Sequence, residues 1–431
     1  MVRQLVQRVT GSGFVRSVAV LATGNLIAQA IPFLMLPIYA RLFGPEMFAL
    51  QSLLMVGMLT IVPMATGWYE FAIPSPKHPR EARAIATIAA ALPLGASLMA
   101  LLIISLFKPE LANWFNINGL GNWIYAYPLL IFANALCGVS NYWLLRKGQF
   151  KMQSANRIML TACAAMIAVT LGVFGITEGL LYGLTGGMVI SAVWAQWQAR
   201  RSGFRPEFHL PFGYFLRVMK RYREFPLFGG FPSALNNLAA QVPLLIITAH
   251  YSLATTGHYA VARGLLSSGA GLLSAVMGQV LLKQITDRMH RGVPLWPYFR
   301  YVSSWIAVMG LALCLGTYIL GPWFFTLYLG PNWADSADII RILSANLLFW
   351  LLAPTMAMAV VAIKKLRILA LWQVTYLAMA SSLVLFGDLP FNAFMHRIVG
   401  IEVVAYGLYY AMAAWAIYRY DHPQKAAQTL T

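Results

Sequence analysis

Two carboxamides four residues apart occur twice inside long apolar stretches of this chain, as NLIAQ at 25–29 and NLAAQ at 237–241. The i,i+4 spacing puts Asn25 with Gln29, and Asn237 with Gln241, on one face of a helix. Amides in such surroundings either tie helices together, at about 0.6–2 kcal/mol each, or line a wet cavity whose neutral donors and acceptors suit sugar hydroxyls. The residues alone leave both open. Arginine adds phosphate chemistry, because its fork of donors matches phosphate oxygens. Arg263, in GHYAVARGLL, stands about one turn inside an apolar segment. An arginine at that depth faces protein or water and marks a path for an ion or substrate, unless it snorkels to the headgroups. Arg16 and Arg41 sit at the two mouths of the first apolar segment, Arg16 being equally a topology signal, and Arg341 opens a later one, where snorkelling accounts for it.

Acids near apolar segments are few. Glu402 lies about one turn into the last one, close after Arg397; local pairing and proton coupling are the two readings. Glu70 ends the second, in WYEFAIPSP, where a cap or a salt bridge to a loop arginine competes with coupling. His250 and His258 flank a short turn and are of a type that titrates near neutral pH. There is no P-loop, no GxGxxG after a strand, no HExxH and no metal-like cluster. Cys137, Cys163 and Cys314 all fall in apolar segments, as small packing groups. We therefore expect no catalytic residue, metal or cofactor, and no nucleotide hydrolysis within the chain. Uphill movement of a solute would draw on an ion gradient, a partner, or consumption of the product.

The elements that must hold these groups are membrane helices. Of 431 residues 60% are hydrophobic and 10% charged, with mean hydropathy +0.67, against about 25% charged in a soluble domain. Segments of about 20 apolar residues fall at 15–40, 47–68, 84–107, 124–145, 158–175, 178–198, 227–249, 257–282, 300–328, 341–362, 368–387 and 398–418. That is twelve, with only the turn from Gly175 to Glu178 dividing the fifth from the sixth. The A-x-A at Ala28-Gln29-Ala30 is not expected to be a cleavage site, because IPFLMLPIYA beyond it stays as apolar.

Charge orients this count. The net charge of +18 comes from 31 Lys+Arg against 13 Asp+Glu. Arg41, Lys108 and Arg397 fall in one set of loops, and Arg263 and Arg341 at the matching span ends; 31 less these five leaves 26 on the other side. The positive-inside rule makes that side, with both termini, cytoplasmic. The charge thus serves topology before nucleic acid, which is not an expected partner. The longest loop on that side, 199–226, ends in FGYFLRVMKRYREF, a basic amphipathic helix for the inner leaflet. It falls after six spans and suggests residues 1–198 and 227–418 as two six-helix lobes, 199–226 as their connector and 419–431 as a tail. The amide pentads begin both lobes, as parallel repeats would.

LPIYARLFGPEMFAL, WYEFAIPSP, LLRKGQF, YREFPLFGGFPSALNNLAAQVPLLI and TGHYAVAR together resemble the Wzx-type oligosaccharide flippases, the polysaccharide transporter branch of the MOP, MATE-like superfamily. The likeness is clearest over 14–90 and 222–285. It implies an all-α integral membrane protein with twelve transmembrane helices in two lobes. It also implies alternating access, and movement of undecaprenyl-diphosphate-linked sugar units from the inner to the outer leaflet of a bacterial inner membrane. Asn25, Gln29, Asn237, Gln241 and Arg263 are the positions placed on the family's cationic central cavity; Arg16, Arg41 and Arg341 are further diphosphate candidates, and Glu402, Glu70, His250 and His258 candidates for coupling. Membrane lipids, and the polymerase and chain-length machinery of the same pathway, are the implied partners. Ala49 stands where the family often has Gly, a local packing change. Two alternatives are an ion-coupled exporter of drugs or other small molecules, expected to have an acidic lumen, and a membrane glycan polymerase or ligase, which needs a large outer loop.

Overall fold

The computed structural model describes residues 13–114, 118–207, 209–363 and 365–422, and among these there is no strand. Helices run through all twelve expected segments. Ten are long and apolar enough to cross a membrane among the described residues. The first segment lies in α1 (Gly13–Leu42), of which Leu26–Leu42 meets the apolar criterion over a shorter length. The sixth lies in α7 (Gly179–Arg201), whose many glycines and polar residues dilute its hydropathy. The chain divides into two compact units, Met1–Asn237 and Leu238–Thr431.

The first unit contains α1, α2 (Pro45–Ala65), the single turn α3 (Tyr69–Ala72), α4 (Pro79–Trp114), α5 (Ala126–Arg146), α6 (Phe150–Val173), α7 and α8 (Phe212–Arg221). Proline at the start of α2 and Glu46 in its first turn suit a helix N-terminus. The narrow turn expected between the fifth and sixth spans is present: α6 ends at Val173 and Gly175 turns the chain at φ 78°. α7 then packs on α6 backbone to backbone. A Cβ on Gly183 or Gly187 would meet Ala164 at 2.7 Å, so these glycines, four apart, set the distance of approach. Polar side chains tie both helices to α5: Asn156 on α6 donates to Asn141 at 2.9 Å, and Ser140 on α5 donates to Gln196 on α7 at 2.8 Å.

The segment expected as a connector is built into this unit's core. Phe204, Leu210 and Val218 are buried with Ile73, Ala82, Ile85 and Trp143. Arg83 pairs with Glu207, and Arg221 with Glu81 at 3.0 Å. α8 is amphipathic, as the sequence predicts, but its apolar face is divided. Val218 is buried, while Phe212 and Leu216 remain exposed.

The second unit holds most of α9 (Phe231–His250), then α10 (Leu253–His290), α11 (Trp296–Leu329), α12 (Ala334–Leu343), α13 (Leu347–Ala362), α14 (Leu366–Ser381) and α15 (Phe391–Asp421). The tenth segment is broken where the sequence suggests one helix, because α12 passes through a 3-10 turn at Ser344–Asn346 before α13 begins. α10 packs on α13, and α13 on α15. These three elements with α14 carry the polar groups described next.

Candidate functional site

The second unit buries a complete ion pair. Arg263 on α10 and Glu402 on α15 meet at 2.7 Å between Nη2 and Oε1, with side chains 15% and 2% exposed. Glu402 also faces three neutral donors. Asn346 Nδ2 and Trp350 Nε1 donate to Oε2 at 2.7 and 3.2 Å, and Tyr376 donates to Oε1 at 3.4 Å. Arg263 donates further to the Tyr259 hydroxyl at 3.0 Å and the Ala240 carbonyl at 3.5 Å. Its guanidinium lies 5.1 Å from the centre of the Trp350 ring. Desolvating two charges costs several kcal/mol per ion, and only close pairing with the remaining positions hydrogen-bonded offsets it. This cluster meets both conditions.

Sequence reading named Arg263 and Glu402 separately and offered Arg397 as Glu402's neighbour. Arg397 instead lies over the Phe386 ring, 5.4 Å from its centre. Helical geometry explains the difference. Residues five apart point away from each other, whereas α10 and α15 present Arg263 and Glu402 to one space. Asn346, Trp350, Tyr259 and Tyr376 were missed, although Asn346 and Trp350 repeat the i,i+4 spacing of the amide pentads and Tyr259 stands four before Arg263.

The first unit buries a carboxylate of the opposite kind. Glu70 is 6% exposed. Its Oε1 accepts from Thr66 Oγ1 at 3.0 Å, while Oε2 is buried without a hydrogen-bond partner among the described residues. Among the described residues it has no ion pair. Arg146, at the end of α5, donates to the Ile73 and Pro74 carbonyls just beyond this turn, each at 3.1 Å. Burial pushes the Glu70 carboxyl up to about 7, against the smaller lowering effect of its hydrogen bonds to its own backbone and to Thr66. The turn ahead of it is strained. Trp68 has φ 57°, the left-handed region a tryptophan rarely occupies. Its ring stacks on Phe71 at 4.3 Å and fills the space where a Cβ on Gly229 would be, 1.8 Å from Trp68 Cε3.

The amide pentads are resolved unevenly. Asn237 donates to the Leu59 carbonyl at 2.8 Å. That carbonyl lacks its ordinary helical partner, because position 63 of α2 is proline and has no N–H. Asn237 thus repairs a broken helical bond, the tying role among the two readings. Gln241 is half-buried and Gln29 exposed. The side chains of Asn25 and Arg16 lie outside the described residues. Arg41 is exposed and bonds the Pro37 carbonyl of its own helix at 3.1 Å. Arg341 is 46% exposed on α12, 3.7 Å from Asp338. His258 is buried, with Nδ1 2.8 Å from Ser336 Oγ and its edge toward Trp333. His250 lies 3.7 Å from the exposed Asp388. No group of three or more metal-type ligands occurs among the described residues.

Residues 38–338 match the family described as Polysaccharide biosynthesis protein. This chain belongs to that family. The match spans the Glu70 turn and Arg263 but stops before Asn346 and Glu402. Among solved structures, the chain is similar to an inward-facing multidrug resistance MATE family transporter of the MOP superfamily, with 14% identity and TM-score 0.65 over 91% of this chain and 98% of that one. It is also similar to the lipid II flippase MurJ in an inward closed conformation, with 11% identity and TM-score 0.72 over 92% and 87%. A third is a MOP superfamily transporter from Pyrococcus furiosus whose description notes a reversed polarity of its binding pocket, with 15% identity and TM-score 0.56 over 94% and 96%. No curated protein sequence matches this one. At these identities the likeness establishes the fold: the chain is an all-α, multi-pass membrane protein that shares the fold of these MOP-superfamily structures.

Proposed function

We propose that this polysaccharide biosynthesis protein is a flippase. It carries undecaprenyl-diphosphate-linked oligosaccharide units from the inner to the outer leaflet of the bacterial inner membrane by alternating access, for O-antigen, capsule or exopolysaccharide assembly. The observation that carries this reading is the buried Arg263–Glu402 pair with its surplus of neutral donors. A diphosphate headgroup cannot cross hydrocarbon unaided. A buried arginine fork is the group best shaped to hold one. When Arg263 turns to phosphate oxygens, Glu402 loses its cation but keeps Asn346, Trp350 and Tyr376. Those donors offset part of the cost of parting the carboxylate from its cation, and the bound anion keeps Arg263 paired.

Coupling is assigned to Glu70 rather than to His250 or His258. Its carboxyl stands near neutrality, it has one bare oxygen, and it lies against a strained turn. Taking up a proton there removes a buried charge and stabilises whichever state buries Glu70. That differential is what a gradient needs to give direction. Export of small organic cations is the second reading, supported by the MATE transporters among the structural relatives. A compensated Arg–Glu pair offers such a cation no free carboxylate, which favours the anionic load.

A deletion strain tests the first reading. Lipid-linked repeat units should accumulate on the inner leaflet and clear on complementation with the wild-type chain. Arg263→Lys, which keeps the charge and loses the fork, should restore little export at normal protein abundance. Clearance without the chain, or full export by Arg263→Lys, would rule this reading out.

A further inference from the structure

The first unit also has a basic cavity of about 550 Å3, lined by neither Glu70 nor Glu402, where the start of α4 meets α8. Its lining includes His78, Arg80, Glu81, Tyr214, Arg217 and Arg221. One acid serves three arginines, and that acid is taken: Glu81 holds Arg221 at 3.0 Å. Arg80 and Arg217 have no carboxylate partner among the described residues. Both guanidiniums lie against one ring, that of Tyr214, at 5.8 and 5.7 Å from its centre. Two like charges sharing one aromatic neighbour repel each other, and an anion placed between them reverses the sign of that energy. The first turn of α4 adds the positive end of a helix longer than 30 residues.

The same short helix supplies a second kind of group. Phe212 is 75% exposed and Leu216 49% exposed, although the helix buries Val218 in the core. Large apolar side chains left bare beside unpaired arginines form the pattern of a segment seated at a membrane interface, with its cations at headgroup level and its apolar face among acyl chains. From this juxtaposition we infer that the cavity between α4 and α8 binds the phosphodiester of an anionic membrane phospholipid. Arg80 and Arg217 clasp the phosphate, and Phe212 and Leu216 enter the acyl region beside it. The site is independent of the transport reading, because it needs neither Arg263 nor Glu70. Its effect is to fix the segment that ends the first unit's core to the bilayer surface.

The full-length protein in detergent can be titrated with short-chain phosphatidylglycerol or phosphatidylcholine and the bound lipid counted by native mass spectrometry. Phosphatidylglycerol should bind well above phosphatidylcholine. Arg80→Gln with Arg217→Gln should weaken it about 25-fold and abolish the preference, taking roughly a fivefold factor per interfacial cation. Both positions are exposed, so the variant should fold; its thermal midpoint is the control, and Arg217→Gln alone provides a milder second variant. Unchanged preference in both variants overturns the site. Displacement of phosphatidylglycerol by inorganic phosphate, where chloride at matched ionic strength leaves it bound, also overturns the lipid assignment, because the cavity is then a site for a free anion.

Discussion

Glu70 and Glu402 are both buried carboxylates in an apolar chain, and their surroundings are opposite. Glu402 faces one guanidinium and three neutral donors, contributed by α10, the 3-10 turn before α13, α13 itself and α14. Glu70 faces one hydroxyl and a backbone group of its own turn, and one of its oxygens has no partner among the described residues. Both are buried; only one is compensated. A buried charge with full compensation is a fixed element that rearranges only when a new partner arrives. One without compensation responds to protons. On the proposed reading, the chain separates an arginine suited to binding an anion from a carboxylate suited to sensing pH, and places them in different units.

Breaking the Arg263–Glu402 pair should have the largest effect. Arg263→Ala or Glu402→Ala leaves an uncompensated buried charge and should cost about 3–5 kcal/mol, visible as low membrane abundance and a lowered thermal midpoint. Arg263→Gln with Glu402→Gln removes both charges and should recover much of that stability while export stays absent. If the double variant exports, the pair is structural only.

Glu70→Gln addresses the other side. The folded carboxyl lies at about 7, above its ordinary 4.5. The native state therefore holds more protons between those values, and stability falls as pH rises through that window and levels off above it. The contribution reaches about 3 kcal/mol at most. The glutamine variant should show a thermal midpoint independent of pH over the window and higher than wild type above it. A wild-type midpoint flat across the same range would place Glu70 with ordinary carboxylates and end the contrast.

Gly229→Ala tests what holds Glu70 buried. Its new methyl would collide with the Trp68 ring, and overpacking of this kind costs about 1–3 kcal/mol. If the strained turn is what excludes water, this variant should also shift the pH window downward toward ordinary carboxylate values. The smallest effect is expected at Arg341, whose partner Asp338 is exposed one turn away. Arg341→Ala should change stability by less than about 0.5 kcal/mol and leave export intact, whereas a large loss of export would show that the anion path reaches α12.

Composition and hydropathy alone established the solvent. A chain 60% hydrophobic and 10% charged, with its apolar residues in runs of about 20, folds into helices that satisfy their own backbone in lipid. Helix positions, the tight turn at Gly175 and the amphipathic segment at 212–221 all followed from patterns of a few residues. Those patterns are local, so they survive being read one segment at a time. Arg263 and Glu402 could each be singled out, since charge within an apolar helix is conspicuous wherever it occurs. That they are partners could not, because 139 positions separate them and only the packing of α10 against its neighbours brings them to 2.7 Å. Asn237 carries the same lesson in reverse. Its spacing from Gln241 invited a reading as a pair, yet its partner is a carbonyl on α2 left open by Pro63. Sequence showed which groups are costly to bury. Tertiary structure decided which group offsets each cost, because that choice depends on which distant helix faces it.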